Sequence, residues 1–221
     1  LLKSDRILKS VDCSRTYTSV FVETRSDEQL TTLALDWFNP DVVWAGSSAG
    51  DVMQSKDAGA NWSTVERLKS DVTDILVSNA DSRVVLVGTQ SKGVYRRSTS
   101  GEWIELEDDF DDYKQADKVY SLAQTANGSL TLMNSKYGLF KSRDAGATWE
   151  ALELVTAPGE VRIWGMTMDP KDSNKIHYAT INTLYQSTSG GDAWVTQKMP
   201  SARAAKVLQV HPVNTDILYA G

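Results

Sequence analysis

Leu139-Phe140-Lys141-Ser142-Arg143-Asp144-Ala145-Gly146-Ala147-Thr148-Trp149 reads as the end of one strand, a tight turn and the opening of the next. An Asp in such a turn accepts hydrogen bonds from backbone N–H groups just downstream, which closes the turn without help from another strand. Gly146 supplies a left-handed backbone conformation that a side chain penalises, and Trp149 brings a large apolar ring that belongs in a core between layers. The pattern Ser-x-Asp-x-Gly-x-Thr-Trp returns, with Asn61 in place of Thr, at Ser55, Asp57, Gly59 and Trp62. Eroded copies stand at Ser187, Gly191 and Trp194, where Ser189 replaces the Asp, and at Arg97 to Trp103, where Arg97 and Thr99 hold the Ser and Asp positions. The earliest copy is Ser10, Asp12 and Tyr17.

The aromatic anchors Tyr17, Trp62, Trp103, Trp149 and Trp194 follow one another at intervals of 41 to 46 residues. A fixed period in the forties with strand-rich content marks an all-β propeller, one four-stranded antiparallel sheet per repeat. Each period holds four short β-rich segments separated by turn residues. The expected blades are 30–70, 71–117, 118–157 and 158–203, and a fifth assembled from 204–221 plus 1–29. From Trp194 through the end of the chain and on to Tyr17 is 44 residues, close to a fifth of the 221, so the ends meet in register. The expectation is a single five-bladed β-propeller over 1–221, closed by N-terminal strands completing the C-terminal blade, which would remove exposed sheet edges. The alternative is an excerpt of a larger propeller with six or more blades.

A formal charge of −6 and a pI near 5.0 argue against a nucleic-acid partner, because no basic patch is present to neutralise phosphates. The single cysteine, Cys13, excludes an intrachain disulfide framework and a cysteine zinc cluster. No apolar run reaches the ~18 residues of a membrane-spanning helix. The chain begins Leu1-Leu2-Lys3, without Met or a signal-like segment, which suggests that a leader has been removed.

The turns at Ser55 to Trp62 and Ser142 to Trp149 resemble Asp boxes, the bacterial neuraminidase repeats. These occur in sialidases, sortilin-type receptors, xyloglucan-degrading glycosidases and the propeller assembly factors of photosystem II. The resemblance implies a propeller with the boxes as structural fastenings on the blade periphery, away from the ligand-binding face, in a secreted or periplasmic setting. A sialidase would imply an arginine triad and a Tyr–Glu nucleophile pair, and no matching arginine motif precedes the first box. A photosystem assembly factor would imply an arginine patch, whereas here only Arg96 and Arg97 are adjacent.

In a propeller the first strand of each blade lines a central channel, with alternate residues facing it. Thr32, Ala34, Asp36, Asp74, Leu76, Ser78, Ser121, Ala123, Thr125, Gly165, Thr167, Asp169, Val207, Gln209 and His211 form the expected channel set. Leu33, Leu35, Ile75, Val77, Leu122, Met166, Met168, Leu208 and Val210 form its apolar alternate. Near the channel mouth fall Lys118, Tyr120, Arg162, Trp164 and Lys206, with Asp71 and Asp74 in register. Cations interleaved with aromatics suit a polar ligand or a peptide. The expected function is a non-catalytic binding or assembly scaffold that recognises a protein or glycan partner at that mouth, without cofactor or metal. The alternative is a glycoside hydrolase or lyase acting on a polysaccharide, which needs two carboxylates about 5–10 Å apart. Asp71 and Asp74 are its candidates, with Glu160 or Asp117 as partner. A third reading is an engineered or excerpted repeat array with no activity of its own. The acidic run Glu107 to Asp112 lacks the spacing of a calcium loop and reads as a solvated linker. His211, aligned with Asp36 and Asp169, reads as a satisfied channel-lining histidine rather than a metal or acid–base group.

Overall fold

The computed structural model describes residues 1–221, with the side chains of Glu107 and Asp108 excepted. Two compact units divide the chain, Leu1–Leu106 and Glu107–Gly221. The first opens with a hairpin, β1 (Arg6–Lys9) and β2 (Thr18–Val22). It continues with two four-stranded meanders: β3 (Leu30–Leu35), β4 (Val43–Ser47), β5 (Asp51–Ser55) and β6 (Ser63–Arg67), then β7 (Val72–Val77), β8 (Val85–Thr89), β9 (Val94–Arg97) and β10 (Trp103–Glu105). The second unit holds β11 (Val119–Gln124), β12 (Thr131–Ser135), β13 (Leu139–Ser142) and β14 (Glu150–Ala151). After these come β15 (Gly165–Met168), β16 (Ile176–Ala179), β17 (Thr183–Ser187) and β18 (Val195–Lys198), and a last hairpin, β19 (Leu208–Val210) and β20 (Leu218–Ala220). All pairings are antiparallel between consecutive strands.

The second strand of each of the first three meanders is buried along its whole length, β4, β8 and β12 alike, around an apolar centre of two or three residues. Such runs belong to strands covered on both faces. Fourth strands are polar and exposed, β18 along its whole length. Burial therefore peaks in the second strands and is least in the fourth, and adjoining sheets meet through their first strands: β3 beside β7, β11 beside β15, and β15 beside β19. Trp44, Val52, Val72, Ile75 and Val87 fill the space between the two meanders of the first unit. Leu130, Leu132, Leu139, Ile176 and Tyr178 do the same in the second. Each such side chain contributes about 1.5–3 kcal/mol of burial.

The turn that punctuates the sequence is built the same way at Ser142, Ser55 and Ser10. Ser142 Oγ donates to Asp144 Oδ1 (2.8 Å) and accepts from Gly146 N (2.8 Å), while Thr148 N and Oγ1 donate to the two carboxylate oxygens (2.9 and 2.7 Å). Ser55 and Asp57 repeat this with Gly59 and Asn61, and Ser10 and Asp12 with Ser14 and Thr16. In the worn copy, Ser189 Oγ accepts from Ala193 N (2.9 Å), a hydroxyl standing in for the carboxylate. The left-handed stretch begins one residue before the glycine: Ala58 (φ 55°) precedes Gly59, and Ala145 (φ 54°) precedes Gly146.

Several expectations change. In the second meander the turn is held by Ser98 and Ser100 (2.7 Å apart) rather than by Arg97 and Thr99. Among the four-stranded meanders, only there does the strand end one residue before the serine, so the register shifts by one. The anchor aromatics sit at the rim of the core instead of inside it; there Trp62 Nε1 donates to Gly59 O (3.0 Å) and Trp194 Nε1 to Glu153 O (2.9 Å), while the buried Trp149 Nε1 has no partner. Tyr17 is 43% exposed. The apolar alternate set is buried in β7, β15 and β19, but in β3 Leu35 is 63% exposed while Thr32 and Asp36 are buried. There the hairpin β1–β2 covers Leu33 and not Leu35, through a small cluster of Ile7, Leu30, Ala45 and Met53.

Residues at the ends of first strands cap turns instead of facing a channel. Asp36 Oδ1 accepts from Phe38 N (2.8 Å) and Asn39 N (3.2 Å), and Asp169 Oδ1 from Lys171 N (2.8 Å) and Asp172 N (3.2 Å). His211 Nδ1 takes the same role toward Val213 N (3.1 Å) and Asn214 N (2.9 Å), an imidazole in the place of an Asx carboxylate. Finally, β1–β2 and β19–β20 are separate two-stranded sheets, so the expected closing blade is not one four-stranded sheet. The segments flanking β1 bond within their own unit instead, Leu30 N to Ser4 O and Glu23 N to Asp5 O (both 2.8 Å). Glu107 and Asp108, part of the acidic run, lie outside the described residues. Phe110, two residues beyond Asp108, is buried edge-on against Phe140 (5.4 Å), so the segment is not solvated at that position.

Candidate functional site

β3, β7 and β11 each carry a β-bulge at their second residue. A bulge bends a strand and re-aims the side chain of its extra residue. In β11 that residue is Tyr120, between Val119, paired with Ser135, and Ser121, paired with Asn134. Three residues before β15, Arg162 stacks its guanidinium carbon 4.7 Å from the Tyr120 ring centroid and 4.2 Å from that of Trp164. Trp164 is fixed by its own backbone, whose N–H donates to Ala179 O (2.8 Å).

These three side chains open onto a cavity of about 440 Å³. Lys206 and Val207 form another part of its rim, and Leu122, Ile163, Met166 and Leu208 its apolar floor. Gly165 allows the 205–208 segment to come this close, since a Cβ there would sit 2.9 Å from Ala205 O. Among the described residues no carboxylate lines the cavity. Among the described residues Arg162 and Lys206 have no ion-pair partner, so the stacked rings are the neighbours of the Arg162 charge. Stacking holds a guanidinium by its faces and leaves its N–H edge available to a planar anion.

Tyr120, Arg162, Trp164 and Lys206, singled out by repeat register, thus converge on one cavity. Lys118 does not line it; its carbonyl accepts from Lys136 N (2.9 Å). Asp71 and Asp74 belong to the first unit, and Asp74 Oδ1 is engaged by Thr32 Oγ1 (3.1 Å) and Ile75 N (2.9 Å). Glu160 lies exposed in the loop before Arg162.

Sequence reasoning passed over Asn134. It is 1% exposed, lines the cavity, donates through Nδ2 to Ile163 O (3.3 Å), and leaves Oδ1 without a partner. A buried acceptor left so costs about 1–3 kcal/mol. The corresponding residue is Gly46 in β4, Gly88 in β8 and Ala179 in β16. At Gly46 a Cβ would collide with Val72 (2.4 Å). A polar side chain at a position otherwise held by Gly or Ala was the available signal.

Among the described residues no helix is long and apolar enough to cross a membrane, and no group of three or more His, Cys, Asp or Glu side chains is arranged for a metal ion. No protein-family model matches the chain, and no curated protein matches it by sequence. Solved structures do. The GH74 enzyme of Niastella koreensis superposes with a TM-score of 0.77 at 16% identity, over 97% of this chain and 39% of that one. The GH74 xyloglucanase of Xanthomonas campestris gives 0.73 at 14%, over 99% and 40%. YCF48 from Cyanidioschyzon merolae gives 0.65 at 13%, over 88% and 64%. The chain spans less than two thirds of the length of each of these structures. At such identities the likeness shows the fold alone, and the fold is that of β-propeller repeats.

Proposed function

We propose that this chain is a propeller of the Asp-box type, with blades at 30–70, 71–117, 118–157 and 158–203 and a two-stranded hairpin at each end, that works as a binding or assembly scaffold. Its partner, a protein or a glycan, docks at the cavity bounded by Tyr120, Arg162, Trp164 and Lys206, with Lys118 on the approach. The observation that carries this is Arg162: a cation held by two aromatic rings at a cavity mouth, with no ion pair among the described residues. The Ser-Asp turns are accounted for by structure, since their donors and acceptors satisfy one another. The test is to probe peptide and glycan arrays with the wild-type chain and with Arg162→Ala. Array signals lost in the variant support the scaffold; signals indifferent to it oppose it.

The second reading, a glycoside hydrolase or lyase using Asp71 and Asp74, is favoured by the fold likeness to two GH74 enzymes. Against it stand the absence of a carboxylate from the cavity and the hydrogen bonds that occupy Asp74. Turnover of a polysaccharide, abolished by Asp71→Ala or Asp74→Ala, would replace the scaffold reading with this one.

A further inference from the structure

Resting on that binding reading, we infer that the cavity at Arg162 takes a carboxylate of a peptide, one flanked by a backbone N–H and an apolar side chain. Three features of the site set this chemistry. First, the charges that line it among the described residues are both positive, the Arg162 guanidinium and the Lys206 ammonium, with no carboxylate beside them. A guanidinium whose faces are taken by rings offers a pair of parallel N–H donors along its edge, the geometry a carboxylate accepts.

Second, the buried Asn134 Oδ1 needs a donor, because its partner amide nitrogen is already committed to Ile163 O. A ligand that brought only an anion would leave this oxygen unsatisfied; a peptide brings an N–H beside its carboxylate. Third, Leu122, Ile163, Met166 and Leu208 make the floor apolar, which favours an aliphatic side chain and disfavours a ring of hydroxyls. A sugar would also seek a free aromatic face, and Arg162 covers one face of both Tyr120 and Trp164. The carboxylate has two sources, an acidic side chain or a peptide C-terminus, and both present the same planar anion.

Calorimetric titration with four probes tests this. The first is an N-acetylated, C-amidated pentapeptide with one Glu between leucines; the second is its Gln counterpart. The third is the Gln peptide with a free C-terminal carboxylate, and the fourth is tetragalacturonate. The first or the third is expected to bind, with the Gln amide at least about tenfold weaker. Which of the two binds identifies the source. Arg162→Lys, which keeps charge but loses the fork and the stacking, is expected to weaken that binding about tenfold, and Asn134→Ala to weaken it by less. Melting temperatures check that both variants stay folded, and Lys206→Gln, at an exposed side chain, serves as a third variant that leaves the fold untouched. Binding of the Gln amide as tight as that of both carboxylate peptides overturns the inference. Binding of tetragalacturonate alone, if Arg162→Lys reduces it, overturns the peptide inference and leaves the scaffold reading standing. If no probe binds in an Arg162-dependent way, both fall.

Discussion

Arg162 lies closer to Trp164 than to Tyr120, 4.2 Å against 4.7 Å from the ring centroids, so the indole is the main support of the guanidinium. Trp164→Leu is therefore expected to weaken ligand binding by about 1 kcal/mol, roughly fivefold, through loss of stacking. Tyr120→Leu should cost less. Parallel titrations of the two variants check the order, and a larger effect at Tyr120 would contradict it.

Ser142 serves two partners from a site 3% exposed, donating to Asp144 and accepting from Gly146 N. Ser142→Ala leaves a buried N–H without its acceptor and is expected to destabilise the second unit by about 1–3 kcal/mol. Urea unfolding monitored by tryptophan fluorescence measures it. Ser63→Ala, at an exposed strand residue, should shift the midpoint by less than a fifth as much.

Ala58 and Ala145 adopt a left-handed conformation that costs an L-residue about 1 kcal/mol. Ala58→Gly and Ala145→Gly are each expected to stabilise by a fraction of that, the flexibility of unfolded glycine offsetting part of the gain. Gly59→Ala should do the opposite, because φ there is +90° and Val20 lies 3.3 Å from the added Cβ. Thermal melting of the three variants separates the signs.

Burial holds His177 below its ordinary pKa of 6.5, with the Asp169 charge opposing the shift in part. The unfolded chain then binds a proton near 6.5 that the folded one does not, so stability falls as pH drops below about 6.5. Asp12 and Asp57 act lower. Hydrogen bonds from Thr16 and Asn61 hold them at about 2, and their contribution is present above about 4 and lost as pH falls through 2. Urea midpoints at pH 7 and 5.5 should therefore fall in the wild type and change less in His177→Gln. Equal slopes would remove His177 from the account.

The repeat itself was legible because turn chemistry is local. Ser, Asp and Gly at fixed spacing name their own hydrogen bonds, and four of the expected repeats came out as four-stranded antiparallel sheets. Register along the repeat then carried Tyr120, Arg162, Trp164 and Lys206 to a common mouth. What did not follow was anything that depends on neighbours in space. Asp36, Asp169 and His211 have the alternation of channel residues, but their side chains fold back onto the next turn, and backbone N–H groups compete successfully for them. Leu35 has the pattern of a core residue without the cover. Asn134 fits the strand pattern unobtrusively, and only the cavity beside it makes its unsatisfied oxygen meaningful. The sealing of the two ends rested on arithmetic alone, and β1–β2 instead packs on β3–β5.

The most direct measurement places a photoreactive residue at Val207, 61% exposed on the cavity rim, and at Val195, 71% exposed on the outer strand β18. A ligand selected on the arrays is then cross-linked and the attachment mapped by mass spectrometry. Attachment at 207, absent at 195 and suppressed by Arg162→Ala, is the predicted result. Attachment at 195, or at 207 without regard to Arg162, would contradict the assignment of the cavity as the binding site.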